Sequence, residues 1–549
     1  MKHIKTYLLT ASLLASITAC KEQLDVKNPN QPTTASANTE SGVIALAQGG
    51  VYVSGFKQYK YQPFDNVSGW FWSGAIGFHE IMGDVIGVEA ANQFMNQLSS
   101  PDYVILDDGT RVNNPNAPSS FKAFVREINQ NANAGQNTLF YEWAYMYQLN
   151  GAMNAVLDLA EQAQFTGNAE AKKNTLRAWA YWWKGYAYSR IGSMYYAGII
   201  TNEANKTNNN YVAKEKIIEE ANASLDKATQ ALNGLTGSAD YQTVMTQLIP
   251  AFNQVGKGAV PTPDMWKRSI NTLKARNLLV NTPTKSMTAA QWNGVLTLVN
   301  DGVRAADNVF TGRANENGDF IPATDGTVAA KATGDPGSGI TYKISERLIQ
   351  EFRPGDRRLE NNFEQRPTPW IGNNDRGNSF NTRYRLVNAG KGLQGVVVLG
   401  NRNVGQYELY LASTYEENEL MKAEALINTG QIENGLKIID AIRTMQGAGL
   451  PAVAGTGLNA DAAREELRRE RRVVLPFRGL SFYDARRWGV IDDVAQGGGR
   501  RNAVVVDRTG RVNTKATINY GYLDYWDVPD NELKYNAPAQ GSAPVKNPK

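Results

Sequence analysis

EELRRERRVVLPFRGLSFYDARRWG, residues 465–489, is the stretch whose reading decides the fold. Ala463, Leu467, Glu470 and Val474 recur near the helical period, which predicts a helix running toward Pro476. Glu465 stands one turn before Arg468 and Arg469, the favourable acid-before-base order. Pro476 lacks an N–H and disfavours helix at the residue before it, so the helix ends or kinks there. A short segment carrying Phe477, Phe482, Tyr483 and Trp488 then turns back and closes at Gly489. The stretch holds no His, no Cys and no Ser–base pair, and its arginines have acids or solvent within reach. A packed clasp of arginines and aromatics is therefore expected. An anion site, in which guanidinium forks grip carboxylate or phosphate, is the functional alternative.

The same residues resemble the C-terminal signature of SusD/RagB-family nutrient-uptake lipoproteins, roughly E-R-x-x-E-L-x-F-E-G-x-R-x-x-D-L-x-R-W-G. Glu470, Arg471, Leu475, Phe477, Gly479, Asp484, Arg487, Trp488 and Gly489 match it. Val474 and Arg478 stand where the family has acids, Ser481 where it has Arg, and Ala485 where it has Leu. Charges of both signs drop out together, which implies a rewired salt-bridge network on the same fold.

Composition limits the chemistry. Across 549 residues, 42% hydrophobic and 20% charged content describe an ordinary globular chain able to bury a large core. The 25 Tyr and 11 Trp are generous; such a surplus builds cores, and also surfaces that bind sugars or peptides. Setting aside Lys2 and Lys5 of the leader, 55 basic residues face 53 acidic ones, which gives no electrostatic case for nucleic acid. Cys20 is the one cysteine, and His3 and His79 are the two histidines. Serine–histidine catalysis, cysteine–histidine catalysis and multi-histidine zinc sites thus have almost nothing to work with. No catalytic residue, metal site or cofactor is expected, and His79 reads as a hydrogen-bonded structural histidine.

Residues 1–19 read as a secretory leader. Lys2 and Lys5 precede an apolar run, Tyr7 to Ile17, too short to span a bilayer as a stable helix. Ile17-Thr18-Ala19-Cys20 resembles the bacterial lipobox, which implies cleavage before Cys20 and acylation of its thiol. Two or more acyl chains hold a protein on a membrane essentially permanently. Lys21, Glu22 and Asp25 weakly resemble a Bacteroidetes surface-export signal, and residues 20–39 form a lipidated polar tether. Residues 40–549 are then expected to form a single domain.

Along that domain, Ile44 to Gln58 suggests a helix interrupted at Gly49-Gly50. Tyr59 to Gly87 is dense in aromatics and glycine, and Trp70 and Trp72 alternate as in a strand or loop. His79-Glu80, leading to Asp84, resembles a family helix. Residues 99–120 read as turn-rich loop with Tyr103 in a prominent place. From Ala134 the chain becomes helical. Leu139, Trp143, Met146, Asn150, Met153 and Leu157 mark one helix face, and Leu176, Ala180, Trp183, Ala187 and Ile191 the next. Trp179, Trp182 and Tyr186 make that second helix apolar on another side too, so it should be buried. Further helices are expected at Ala213–Leu232, Asp264–Val280, Ala289–Phe310, Tyr410–Asn428 and Glu433–Met445. Between Thr311 and Gly400 periodicity is lost, Trp370 sits in a turn, and Val396–Leu399 reads as a strand. Long excursions of this kind usually carry function.

The expected fold is mostly α: stacked tetratricopeptide-like helix hairpins with long loop and short-strand excursions forming a ligand-binding face. The resemblance implies a lipid-anchored protein on the outer face of an outer membrane. It would capture a glycan and deliver it to a SusC-like TonB-dependent barrel. A peptide-capturing member of the same family, a surface glycoside hydrolase and a pure protein–protein scaffold are the alternatives. Ligand contacts are expected at Trp70, Trp72, Tyr103 and Trp370, by location and chemistry, since ligand loops in the family vary.

Overall fold

The structure, a computed structural model, describes residues 38–549 apart from 57–58, 62–63, 69–70, 90–92, 115–120, 134, 316–320, 323–327, 334–341 and 373–380. The leader, Cys20 and Trp70 lie outside the described residues. The chain enters helix α1 (Glu40–Tyr52) behind Thr39, whose side chain caps Gly42 N–H. α1 runs straight through Gly49-Gly50, where the sequence suggested a break. Gly50 serves close packing instead, since a Cβ there would lie 2.8 Å from Met153 Cε. A helical turn at Phe71–Ala75 leads to α2 (Gly77–Met82). Strands β1 (Tyr103–Ile105) and β2 (Arg111–Asn113) follow.

The helical body begins with α3 (Thr138–Gln162) and α4 (Ala169–Met194), whose first turns are capped by Asn137 and Asn168. Next come α5 (Lys214–Ala231), α6 (Ala239–Leu248), α7 (Pro263–Val280) and α8 (Ala289–Asn300). Proline at the first position of α7 and the Thr288–Gln291 capping box of α8 are both legible start signals. Short strands β3 (Thr311–Gly312), β4 (Phe363–Trp370), β5 (Thr382–Leu386) and β6 (Leu409–Tyr410) fill the middle of the chain. Helices α9 (Tyr415–Asn428), α10 (Ile432–Met445), α11 (Ala460–Val474) and α12 (Ser481–Arg487) then precede strands β7 (Arg500–Val506) and β8 (Val512–Asn519).

Each body helix packs on the next, from α3, α4 and α5 through α7, α8 and α9 to α10 and α11. This is the tetratricopeptide-like stack the sequence implied. α4 is its axis: Trp179, Trp182, Trp183, Ala187 and Ile191 are all sealed from solvent. Phe310 sits among three of its neighbours, with ring centroids 5.3 Å from Trp179, 5.7 Å from Trp183 and 5.1 Å from Trp266 of α7. Much of the aromatic surplus is therefore core. Burying one such side chain contributes roughly 1.5–3 kcal/mol.

Four expectations need correction. Residues 99–120 include two strands of a four-stranded antiparallel sheet, order β7–β8–β1–β2, in which Ile105 faces Thr517. Its partner strands lie far along the chain, outside any local window. The helix expected through Phe310 stops at Asn300, where Asn418 Nδ2 donates to the Val299 carbonyl at 2.9 Å. The helix expected from Tyr410 starts at Tyr415 behind the Thr414 cap, because Leu409 and Tyr410 pair with Gly312 and Thr311. Val396–Leu399 is irregular: the Val397 carbonyl accepts from Asn362 Nδ2 at 2.9 Å, and Leu399 N–H donates to Asn362 Oδ1 at 2.8 Å. Asparagine side chains do there what a neighbouring strand would have done.

Candidate ligand-binding face

The opening stretch folds into a lattice of buried ion pairs. Arg471 donates twice to Asp484, at 3.0 and 3.1 Å, and Asp484 also accepts from Arg487 at 2.8 Å. Arg487 forks onto Glu424 of α9 at 2.5 and 2.8 Å. Glu470 accepts from Arg358 at 2.6 Å and from Arg443 at 2.7 Å, tying α11 to α10 and to the turn after Asp356. Arg468 forks onto Glu351 at 2.8 and 2.7 Å, and Arg472 donates to the Gly83 and Asp84 carbonyls. The clasp reading holds for these arginines. Such pairs repay a large desolvation cost only when every group is matched, so they fix geometry more than they add stability.

Asp84 anchors the other end, at φ 57°. It accepts two bonds from Arg347 at 2.9 Å each, one from Ser345 at 2.7 Å, and one from the Tyr520 hydroxyl. Burial would raise its carboxyl, but Arg347 holds it well below the usual carboxylate range. His79 is fully buried with Nε2 2.8 Å from Glu142 Oε2, and Glu142 Oε1 accepts from Arg190 Nε at 2.6 Å. Burial and the neighbouring Arg190 push His79 down to about 4, so it is neutral at physiological pH, a structural histidine. Beside it, burial pushes the Glu80 carboxyl up to about 7, while Glu80 Oε1 accepts from Gly479 N–H at 2.7 Å.

The expected ligand contacts scatter. Trp72 is a core residue and offers no face to a ligand: it is fully buried, 5.5 Å from the Tyr186 ring and 4.8 Å from Phe71. Trp72 lies in the helical turn Phe71–Ala75, which points its indole inward. Trp370 is half-buried at the end of β4, paired with Thr382 of β5, and the Lys343 ammonium lies 4.9 Å from its ring centre. Tyr103 is half-buried at the start of β1, with the Arg111 guanidinium 3.6 Å over its ring. Three hairpin ends are tied in series: Arg508 donates to the Gly372 carbonyl at 3.1 Å, and Arg511 reaches Asp108 at 2.7 Å. This places Trp370 beside the β7–β8 turn, which adjoins the β1–β2 turn. Tyr103 stands at the far end of β1, opposite Asn519 and Asn113.

A cleft of about 1050 Å³ opens elsewhere, between the ends of α7, α8, α9 and α11. Trp292, Trp488, Tyr525, Asn428 and Asp492 are among its walls. Several of its ionic groups are spoken for by the lattice: Glu424 by Arg487, and Arg486 by the Ser193 and Val280 carbonyls. No local sequence signal announces this cleft, since its walls come from segments far apart in the chain. Among the described residues no group of three or more His, Cys, Asp or Glu is placed to hold a metal ion, and no helix is long and apolar enough to cross a membrane.

Comparison with known proteins gives the same picture. The sequence profile of the SusD family matches residues 411–548, the segment from β6 through the lattice to the C-terminal turns. No curated protein matches the sequence. Solved structures match the fold at low identity. A surface glycan-binding protein A from Bacteroides fluxus superposes with TM-score 0.55 at 14% identity, covering 94% of this chain and 100% of that one. A SusD-like carbohydrate binding protein from Bacteroides fragilis gives 0.53 at 16% identity, covering 85% and 99%. Another from Bacteroides vulgatus gives 0.50 at 14%, covering 90% and 92%. The chain is thus similar to the SusD family in sequence over residues 411–548, and to SusD-like proteins in fold.

Proposed function

We propose that the protein is a cell-surface binding lipoprotein that captures glycan and hands it to a SusC-like TonB-dependent outer-membrane barrel. The observation that carries this reading is the SusD-family match at residues 411–548. Two of the fold matches are described as a carbohydrate-binding and a glycan-binding protein. Cys20, in its lipobox-like setting, is the proposed acylation site after removal of residues 1–19, with residues 20–39 as tether and 40–549 as the binding domain. Capture needs no bond to be made or broken. Pyranose C–H faces stack on indole and phenol rings while neighbouring amides, carboxylates and guanidinium groups bond the hydroxyls. Trp370 is the proposed stacking residue among the described ones, with Trp70 its counterpart and Tyr103 a peripheral contact.

Mass spectrometry of the membrane-extracted protein tests the anchor, and a mild detergent pull-down tests the partner. A diacyl or triacyl mass on Cys20 and a co-purifying large barrel are expected. An unmodified Cys20 in protein recovered from the periplasm, with no barrel, would contradict both. Calorimetric titration with soluble polysaccharides and with peptides tests the cargo; binding of peptides alone would replace glycan with peptide.

A further inference from the structure

The turn between α11 and α12 departs from the lattice around it. Phe477 at φ 64° and Gly479 at φ 69° both adopt left-handed backbone, with Arg478 between them. A phenylalanine held there stores on the order of 1–3 kcal/mol of strain, a cost met elsewhere in the structure and common where a side chain is aimed for a purpose. α2 holds the turn in place: Glu80 accepts from Gly479 N–H at 2.7 Å, and Ser481 donates to the His79 carbonyl at 2.8 Å. Arg190 adds a bond to the Gly479 carbonyl at 3.4 Å.

The consequence falls on Arg478. Arg464, Arg468, Arg469, Arg471, Arg472, Arg486 and Arg487 each donate to a carboxylate or a carbonyl. Arg478, half-buried, forms no hydrogen bond or ion pair with any described residue, and its Nη1 is sealed from solvent without a partner. Its guanidinium carbon lies 4.0 Å from the centre of the ring of Tyr410, three residues after Tyr407. Both tyrosines are half-buried. Of the two acids whose charge acts on it, Glu408 is held by Arg313 at 3.0 Å and by Gly258 N–H at 3.0 Å. Glu416, in the first turn of α9, makes no ion pair with Arg478 within 4.0 Å. A guanidinium left unpaired in such a place costs several kcal/mol unless something outside the chain completes it.

We infer that Arg478, Tyr407 and Tyr410 form a subsite for the anionic group, carboxylate or sulfate ester, of an acidic saccharide. The two donors not sealed from solvent, Nε and Nη2, match two oxygens of either group, and the phenol rings border the place where the sugar would lie. This inference rests on the glycan-binding reading and names the class of glycan.

The test is calorimetric titration of the purified protein with polygalacturonate, its methyl ester, chondroitin sulfate, desulfated chondroitin and neutral dextran. The variants are Arg478→Ala and Arg478→Lys, with near-UV circular dichroism to show that each is folded. At least tenfold tighter binding of an acidic polymer than of its esterified or desulfated partner is expected. Arg478→Ala should erase that preference, and Arg478→Lys, which keeps the charge but loses the fork, should restore only part of it. A preference lost on esterification assigns a carboxylate; one lost on desulfation assigns a sulfate. Equal binding of charged and neutral partners, or a preference that survives in Arg478→Ala, overturns the subsite and leaves glycan binding standing. If no saccharide binds, the glycan reading falls and the subsite falls with it.

Discussion

Arg487 and Arg478 belong to the same C-terminal stretch and live in opposite worlds. Arg487 is buried, forked onto Glu424 and bonded to Asp484, one knot in a net that also holds Glu470, Arg358 and Arg443. Arg478 stands on a strained turn against Tyr410 with every donor unused by the described residues. In the net each of these acids already has its cation, although Arg471 Nη1 and Arg472 Nε are left over, so its work is to hold helices together. The turn is open, and its strain is borne by the frame around it through Glu80 and Gly479. Under the proposed subsite, that frame holds the turn in place while Arg478 waits for an anion.

The sharpest way to break this contrast is to open the net. Glu470→Ala takes one carboxylate from each of Arg358 and Arg443, which keep Asp356 and Glu466, and should cost about 1–3 kcal/mol, read as a lower urea midpoint. Little loss would mean the lattice does not hold the helices together.

The pH dependence separates Glu80 from His79 by sign. Burial raises Glu80 from its ordinary value to about 7, so the folded state binds more protons than the unfolded state between roughly pH 4.5 and 7. Stability from this group is full below that window and falls as pH rises through it, by at most about 1.4 kcal/mol per pH unit. His79 is pushed down to about 4, so its contribution is full above roughly pH 6.5 and is lost as pH falls toward 4. The two slopes oppose each other in the wild type. Glu80→Gln should leave only the rise, so melting temperature climbs between pH 5 and 7 more steeply than in the wild type. Parallel curves would contradict the assignment.

Gly479→Ala tests the turn itself. An L side chain at φ 69° is strained, and its Cβ would sit 2.5 Å from Ile76 Cγ1, so a loss of about 1–3 kcal/mol is expected in chemical denaturation. Trp370→Ala tests the open side: glycan affinity should weaken by roughly 1–3 kcal/mol while the urea midpoint stays near wild type, because the ring is half-buried. A fall in midpoint with unchanged affinity would make Trp370 part of the frame.

What could be read from the sequence divides along the same line. α11, its stop at Pro476 and the two-sided apolar surface of α4 depend on local periodicity, and the structure reproduces them. The sheet at β1 and β2 is not legible locally, although Asp107-Asp108-Gly109 is a hairpin turn signal, because its neighbouring strand β8 lies at the other end of the chain. Trp72 misled for a related reason. Glycine and polar neighbours suggested a surface, whereas tertiary packing against Tyr186 and Phe71 decides its place. Arg478 could be noticed as a charge reversal against the SusD/RagB signature, but that no described residue pairs with it becomes visible only when the other arginines of residues 464–487 have been given partners.

Holding glycan without cutting it is the central property proposed for this protein. Native gel electrophoresis of the wild-type protein through gels cast with soluble polysaccharides, with a reducing-end assay on the same mixtures, measures both at once. Retarded migration in at least one gel with no new reducing ends is the expected result. Unchanged migration in every gel, or reducing ends that accumulate with time, would contradict it.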